Sequence, residues 1–162
     1  MSIQFDKAQP KNKAQLKQLI NYAFKHNIYD LNSIDTSKIT DMSHLFCNCM
    51  HNFDVSSWDV SNVTNMGCTF YKCNMFTGKG LENWDISNVT NTFGMFYNCK
   101  NFNADLSSWK LCNALDIGAM FYGCENFEGK GIENWNVSKV IDMQGMFKGC
   151  NKLTIPDWYD KL

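Results

Sequence analysis

The chain has 162 residues and a net charge of -1, with 15 basic against 16 acidic side chains. This length favours a single domain, and 44% hydrophobic with 19% charged residues is typical of a folded protein. The charge balance excludes the strongly basic surface of most nucleic-acid-binding proteins, and no apolar run is long enough to insert into a membrane.

The N-terminal segment, residues 1–33, is expected to contain a capping helix. It begins with polar residues and lacks the apolar core of a secretory signal, which favours a cytoplasmic location, or a cell-surface or secreted one if a leader has been removed. Within residues 12–26, apolar side chains recur at helical spacing on one face: Leu16, Leu19, Ile20, Ala23 and Phe24. Asn12 is placed to cap this helix, which would cover the open end of a repeat array.

An internal repeat of 24 to 26 residues fills residues 34–155. Three residue types keep this period: Trp58, Trp84, Trp109 and Trp135; Phe46, Phe70, Phe96, Phe121 and Phe147; and Cys49, Cys73, Cys99, Cys124 and Cys150. The matched periods predict about five stacked coils.

Each coil is expected to contain a short strand and a short helix. Trp58 and Val60 alternate with polar residues, which is the pattern of a strand with one buried face. In the last coil the apolar residues have helical spacing: Met143, Met146, Phe147 and Cys150. An Asx residue that could cap the helix precedes it in each coil: Asp41, Asn65, Asn91, Asp116 and Asp142. This pattern predicts an α/β repeat solenoid of leucine-rich-repeat type, with short parallel strands.

A Gly-Lys-Gly sequence occurs twice, in FTGKGLENW (76–84) and FEGKGIENW (127–135). It does not match a phosphate-binding loop, because no Ser or Thr follows the lysine and the glycines precede the strand. We expect Gly78, Gly80, Gly129 and Gly131 to adopt positive φ in a turn. The last segment, 156–162, is expected to form a C-terminal cap, in which Pro156 ends the pattern and Trp158 and Tyr159 close the last coil.

The stretches WDVSNVTNM (58–66), WDISNVTNTFGMFYNCKNFNADLSSW (84–109) and IPDWY (155–159) closely resemble the BspA-like leucine-rich-repeat family. This is a bacterial repeat class described mainly as surface proteins or as a domain of unknown function. The resemblance implies a right-handed solenoid and, where a function is assigned, adhesion or protein binding. It implies no catalytic residue and no cofactor.

The eight cysteines are expected to be reduced thiols. Equivalent residues of stacked coils lie about 5 Å apart, so a disulfide between neighbours is conceivable, but a packed column of small side chains is the favoured interpretation. The sequence HLFCNCMH (44–51) contains four residues of metal-ligand type, yet only His44 and Cys47 share a helix face, and zinc needs about four ligands. Cys68 and Cys112 stand outside the column and are interpreted as substitutions. We expect no metal site.

The outward strand positions are the candidate binding residues. They form a row that we call the acidic stripe: Asp35, Asp59, Asp85, Lys110 and Asn136. Neighbouring like charges on adjacent strands are unfavourable, so a stripe that is kept despite this cost suggests a binding surface. In the alternative interpretation, each carboxylate is solvated or bonded to a nearby Ser or Asn. A second candidate patch is formed by Lys79, Lys130, Glu82 and Glu133.

These observations predict a non-enzymatic protein-interaction module that binds another protein through an extended face. Two alternatives stay open: a bacterial surface adhesin or host-interaction protein, and a thiol redox or metal-binding protein. No constellation of acid and base residues repeats or converges, so we expect no enzymatic activity.

Overall fold

The computed structural model describes residues 8–159. Within this range it contains one α-helix, α1 (Lys13–Lys25), and two short 3₁₀ helices, Leu81–Asn83 and Ile132–Asn134. The outer parts of the two predicted caps, residues 1–7 and 160–162, lie outside the described residues. No helix in the described range is long and apolar enough to cross a bilayer.

Helix α1 confirms the helix predicted near the N-terminus. The side chain of Asn12 accepts a hydrogen bond from the backbone amide of Gln15 at 3.1 Å, which is an N-cap contact. Leu16, Ile20 and Ala23 are fully buried against the first repeat. The other two residues of the predicted face, Leu19 and Phe24, are partly buried against the same core. The apolar face of α1 therefore covers one end of the repeats.

The repeats stack on one another in register. Isolated parallel bridges join the Asx residue of each repeat to that of the next, through Asp41, Asn65, Asn91, Asp116 and Asp142. A further bridge joins Asp30 to Asp54 at the N-terminal side. Residues about one period apart in the sequence are therefore direct neighbours in space.

The predicted α/β solenoid of leucine-rich-repeat type is nevertheless wrong. Within residues 8–159 no strand or sheet forms, and parallel pairing is limited to single-residue bridges. No helix forms in the repeats where one was predicted. Each of these segments is instead a run of turns, and we call them the turn ribbons: 43–48, 67–72, 93–98, 118–123 and 144–149.

The ribbons are not helices because their backbone amides alternate between two kinds of acceptor. In the first four ribbons, every second amide donates to the following repeat, as Phe46 does to the carbonyl of Thr69 at 2.8 Å. The intervening amides close turns inside the ribbon, as Cys49 does to the carbonyl of Phe46 at 2.9 Å. An α-helix needs each amide to donate to the residue four positions earlier, and here half of the amides are bonded to the next repeat.

Backbone dihedrals also exclude a helix. Each ribbon has two residues with positive φ, four positions apart: His44 and Asn48, Cys68 and Lys72, Gly94 and Asn98, Ala119 and Gly123, and Gly145 and Gly149. Positive φ at the third residue is required in a type II turn, and glycine and asparagine adopt it at the lowest cost. The glycine and asparagine residues at these positions therefore favour turns over a helix.

The predicted strand is likewise a turn. Trp58 and Val60 are buried and Asp59 is exposed, as the alternation indicated. The amide of Val63 then donates to the carbonyl of Val60 at 2.9 Å, so the chain reverses after three residues. This segment is too short and too strongly turned to build a ladder with its neighbours.

The core is made of stacked columns of identical side chains. Phe46, Phe70, Phe96, Phe121 and Phe147 form a ladder in which neighbouring ring centroids are 5.4–5.9 Å apart. A second column lies beside it, with centroids 4.0–4.4 Å from the first: Phe53, Phe76, Phe102 and Phe127. Offset aromatic stacking at such distances adds to the stabilisation from burial.

The tryptophan column is tied to the backbone. The Nε1 atoms of Trp58, Trp84, Trp109 and Trp158 donate to carbonyls about one repeat earlier, at 2.8–3.0 Å. Trp158 also stacks on Trp135, and Tyr159 packs edge-on against Phe147. Trp158 and Tyr159 thus pack on the last repeat as expected, while the limits of the segments 34–155 and 156–162 stay a prediction.

The Gly-Lys-Gly linkers confirm the turn interpretation. Gly78, Gly80, Gly129 and Gly131 have φ of 82°, 93°, 81° and 90°. Gly80 and Gly131 each precede a 3₁₀ helix that leads into the tryptophan. A Cβ on Gly131 would lie 2.2 Å from the backbone nitrogen of Ser107, so this linker also packs directly on the preceding repeat.

The Asx residues that were predicted as helix caps make the predicted hydrogen bond without a helix. In each repeat the Oδ1 atom accepts from the amide two residues later, at 2.8–3.0 Å. Asp116 and Asp142 are neighbours in this column, on either side of Gly118: a Cβ on that glycine would lie 3.2 Å from one Oδ1 and 3.4 Å from the other. Burial, with a contribution from the charge of Asp142, raises the pKa of Asp116.

Asp116→Asn should therefore stabilise the protein. Asparagine already occupies this position at Asn65 and Asn91 and makes the same hydrogen bond. We expect the free energy of unfolding at pH 7 to rise by about 0.2–1 kcal/mol, the range for a like-charge pair on neighbouring strands.

The pH dependence of this effect has a defined sign. Because the pKa of Asp116 is raised in the folded state, its carboxylate destabilises the fold above that pKa, and this destabilisation disappears as the pH falls below the unfolded-state value. Urea unfolding followed by tryptophan fluorescence should show a variant that is more stable at pH 7 and equal to the wild type near pH 3. A difference that stays constant with pH would contradict this explanation.

Candidate functional site

The acidic stripe is a column of local turns. Asp59, Asp85, Lys110 and Asn136 are exposed, and Asp35 is partly buried. In the four Asx members, Oδ1 accepts from the amide of the serine two residues later at 3.0 Å. Hydrogen bonds from Ser37 and Ser87 lower the pKa of Asp35 and Asp85, respectively. The carboxylates thus have a structural role in their own turns, and their use as a binding surface stays a prediction.

Repeats are also cross-linked next to the stripe. The side-chain amides of Asn62 and Asn88 donate to the serine carbonyls of the repeat before, each at 2.8 Å. Asn113 makes the equivalent bond at 2.9 Å. These bonds hold the stripe residues of neighbouring repeats in register.

The residues of the second predicted patch, around the Gly-Lys-Gly linkers, make separate local contacts, and their use as a binding surface stays a prediction. Lys130 pairs with Asp105 at 2.6 Å, and this contact lowers the pKa of Asp105 to about 2. Glu82 accepts from the amide of Gly80 at 2.9 Å and so closes its own turn. Lys79 lies between two shallow grooves and makes no ion pair with any residue in the range 8–159.

The cysteines are all free thiols. Four column members donate from Sγ to the phenylalanine carbonyl of the preceding repeat, at 2.8–3.0 Å: Cys73, Cys99, Cys124 and Cys150. Burial raises the pKa of Cys124 well above its usual value and that of Cys150 to about 11. Across residues 8–159, no group of three or more His, Cys, Asp or Glu side chains could hold a metal ion, the segment 44–51 included.

Thiol reactivity should follow burial. Cys112 is exposed, whereas Cys73, Cys99 and Cys124 are buried. Because only an accessible thiolate attacks a disulfide reagent, we expect the exposed Cys112 to be the fastest thiol with a colourimetric disulfide reagent at pH 8. The Cys112→Ser variant should lack that phase. The buried column thiols should react at least about a hundredfold more slowly, through opening of the fold. An equally fast phase in Cys112→Ser would show that the fastest reaction comes from another thiol and that exposure alone does not set the order of reactivity.

A ladder of tyrosines on the ribbon surface is the feature that sequence reasoning missed. Tyr71, Tyr97 and Tyr122 each lie two residues before a column cysteine, in FYKC, FYNC and FYGC, and we call them the tyrosine ladder. Their rings stack with centroids 4.8 and 4.6 Å apart and interplanar angles of 16° and 5°. All three are partly buried, so part of each residue remains accessible to solvent. The recurrence of tyrosine at one position of the repeat was the available signal.

The polar groups of the ladder are free to bind. None of the three hydroxyls has a hydrogen-bond partner among the described residues. A lysine lies at each end of the ladder: Nζ of Lys72 is 5.2 Å from the ring centroid of Tyr71, and Nζ of Lys148 is 5.7 Å from that of Tyr122. The ladder therefore has an aromatic centre, free hydroxyls and a positive charge at both ends.

Two glycines pack close to the ladder and to an exposed aromatic residue in the same ribbon. Gly94 lies next to Tyr97, and a Cβ there would be 3.3 Å from Sγ of Cys68 and 3.7 Å from Cβ of Tyr97. Phe93, 46% exposed, lies over Gly118, where a Cβ would be 3.3 Å from its ring. Aromatic side chains that are accessible at a surface are enriched in protein-binding faces.

A protein-family model described as "Mycoplasma protein of unknown function, DUF285" matches residues 14–130 and 109–159. The two matches overlap and together extend from α1 to the end of the described residues. No curated protein and no solved structure matches the chain. The match confirms the expectation of an uncharacterised repeat family, and it does not support the narrower assignment to BspA-like leucine-rich repeats.

Proposed function

We infer that this chain, which belongs to the DUF285 family of Mycoplasma proteins of unknown function, binds another protein without catalysing a reaction. The family description names no activity, so the proposal rests on the surface of this chain. The tyrosine ladder is the observation that carries it.

Several physical properties make the ladder a suitable binding surface. Tyrosine offers a large contact area with few rotatable bonds, and it is enriched at the centres of interfaces. The rings of Tyr71, Tyr97 and Tyr122 are already held by mutual stacking, so binding would cost little further side-chain entropy. Their unpaired hydroxyls can form hydrogen bonds with a partner without breaking any bond inside the protein.

The thiol redox and metal-binding alternative has less support. The buried column thiols are hydrogen-bonded, and burial raises the pKa of Cys124 and Cys150, whereas a reactive thiol needs a lowered pKa. No specific observation favours the adhesin alternative.

Two matched triple variants test the proposal and locate the face. Tyr71→Ser, Tyr97→Ser, Tyr122→Ser removes the ladder. Asp59→Lys, Asp85→Lys, Lys110→Glu changes the acidic stripe instead. Wild type and both variants would be used to capture proteins from a Mycoplasma lysate, with circular dichroism and thermal unfolding to confirm that each variant is folded.

We expect a defined partner that binds the wild type and the stripe variant, and that the ladder variant loses. Loss in the stripe variant alone would move the face to the acidic stripe and overturn the role of the ladder. Equal binding by all three proteins would exclude both faces. Isothermal titration with the purified partner would then give the affinity, and we expect the ladder variant to lose at least about a hundredfold, because central aromatic residues each contribute about 1–2 kcal/mol or more.

A further inference from the structure

The last repeat ends in an open row of hydrogen-bond donors. The backbone amides of four alternate residues have no acceptor within residues 8–159: Met143, Gly145, Phe147 and Gly149. The equivalent amides one repeat earlier all donate to carbonyls of the last repeat, at 2.8–3.0 Å: Ile117, Ala119, Phe121 and Gly123. We call the four unpaired amides the open edge.

Apolar surface is exposed beside the open edge. Ile141 is 83% exposed, whereas Leu115, its counterpart one repeat earlier, is 42% exposed. Met143 is only partly buried, and its counterpart Ile117 is completely buried. The additional exposed surface of Ile141 and Met143 is the surface that a further repeat would cover.

The tryptophan column continues past this edge, although no further ribbon follows within residues 8–159. Trp158 donates to the carbonyl of Ile132 at 2.8 Å and stacks on Trp135, as a tryptophan of a following repeat would. Tyr159 packs on the ring of Phe147, and neither residue accepts a hydrogen bond from the open edge. The missing component is therefore a turn ribbon.

A second copy of this chain is not a suitable occupant. Two open edges cannot pair, because both present donors. The matching carbonyls of a second copy lie at the first ribbon, and α1 covers that end: Lys17 donates to the carbonyl of Leu45, and Lys13 binds the side chains of Asp41 and Ser43 at 2.7 Å. The buried apolar face of α1 holds it in place.

An ordinary β-strand is also a poor match. A strand presents both amide and carbonyl groups along each edge, so a strand placed here would bring its own donors against the open edge. A turn ribbon presents carbonyls of alternate residues and no free amide between them, as the ribbon at 144–149 does toward the repeat before it. Together with the Asx residue that precedes it, a ribbon supplies four carbonyl acceptors in register.

We propose that the open edge binds, in trans, a turn ribbon of a different polypeptide with the same type of repeat. Pairing would add four backbone hydrogen bonds and cover Ile141 and Met143. This is strand addition to an exposed edge, with a ribbon of turns in place of the strand, and it is independent of the tyrosine ladder.

Amide hydrogen exchange of the ¹⁵N-labelled full chain tests the proposal. The probe is a blocked synthetic peptide with the sequence of residues 113–125, NALDIGAMFYGCE, which contains one ribbon and its Asx residue. In the free protein we expect Gly145 and Gly149 to exchange at least about a hundredfold faster than their bonded counterparts Ala119 and Gly123. Excess peptide should slow Gly145 and Gly149 by about tenfold or more.

Three controls make the result specific. A scrambled peptide should protect nothing. Ile141→Glu should weaken peptide binding by about tenfold, whereas Ile155→Glu, at another exposed isoleucine, should leave it unchanged. The triple tyrosine variant should bind the peptide normally, which separates this proposal from that of the ladder.

Several results would overturn the proposal. Slow exchange of Gly145 and Gly149 in the free, monomeric protein would show that the edge is not open. Protection that rises with protein concentration in the absence of peptide would identify a second copy as the occupant. Absence of protection at millimolar peptide, or equal protection by the scrambled peptide, would exclude ribbon pairing.

Discussion

Gly131→Ala should lower the free energy of unfolding by about 2–6 kcal/mol, because a strained backbone and a steric overlap each cost about 1–3 kcal/mol. Gly131 has φ of 90°, in the region that non-glycine residues avoid. An added Cβ would lie 2.2 Å from the nitrogen and 2.4 Å from the Cα of Ser107. Because these are backbone atoms, no rotation of a side chain relieves the overlap, and two repeats must move apart. Equilibrium unfolding in urea, followed by tryptophan fluorescence, measures the loss.

Gly145→Ala is the matched control. Gly145 also has positive φ, at 66°, but a Cβ there meets no atom within 4 Å. Alanine already occupies the equivalent position at Ala119, with φ of 49°. We expect a loss of only about 1 kcal/mol, from the backbone alone. Equal losses in the two variants would mean that packing of the linker on Ser107 contributes nothing.

The periodicity of the sequence predicts the stacking of this fold well. The tryptophan, phenylalanine and cysteine columns occupy the core, and α1 covers the first repeat as its apolar face indicated. Identical side chains at a constant spacing have few other ways to be buried together, which is why a repeat signal is informative without any knowledge of local structure.

The predicted local structure of the repeats was wrong because a helix and a run of turns bury the same positions of the sequence. In the first ribbon and the residues on either side of it, Met42, Leu45 and Phe46 are buried and Cys49 is partly buried, which is the spacing of a helical face. Two successive four-residue turns produce this spacing as well. The distinguishing signal was the identity of the residues between them, Asn48, Asn98, Gly123 and Gly149, which adopt positive φ.

The candidate functional site could likewise be predicted from the sequence only in part. The acidic stripe could be located from the sequence, and bonding of its carboxylates to nearby serines was one of the interpretations. That the donor is the backbone amide of the serine in the same turn could not be predicted, because this contact depends on backbone direction. The tyrosine ladder could have been found from the recurrence of Tyr before the column cysteine. The exposure of the ladder could not be predicted, because in the predicted helix Tyr71 and Phe70 would have other positions relative to the core than they have in the turn ribbon.

Phe96→Ala should lower the free energy of unfolding by about 3–5 kcal/mol, the usual range for truncation of a buried phenylalanine. Phe96 is fully buried at the centre of the ladder, with ring centroids 5.4 Å from Phe70 and 5.6 Å from Phe121. Phe102 lies 4.0 Å away on the other side. The cavity cannot close easily, because these rings are held by their own stacking partners in the neighbouring repeats. Urea unfolding again measures the change.

The control for this variant is Phe93→Ala, three residues earlier in the same ribbon. Phe93 is 46% exposed, so we expect a loss of at most about 1 kcal/mol. In a stack of repeats, stability is carried by contacts between nearest neighbours. Loss of the Phe96 ring weakens two such contacts at once, whereas loss of the Phe93 ring removes only a surface contact with Gly118. If Phe96→Ala cost no more than Phe93→Ala, the phenylalanine ladder would not be what holds the repeats together, and the hydrogen bonds between ribbons would have to carry the stack.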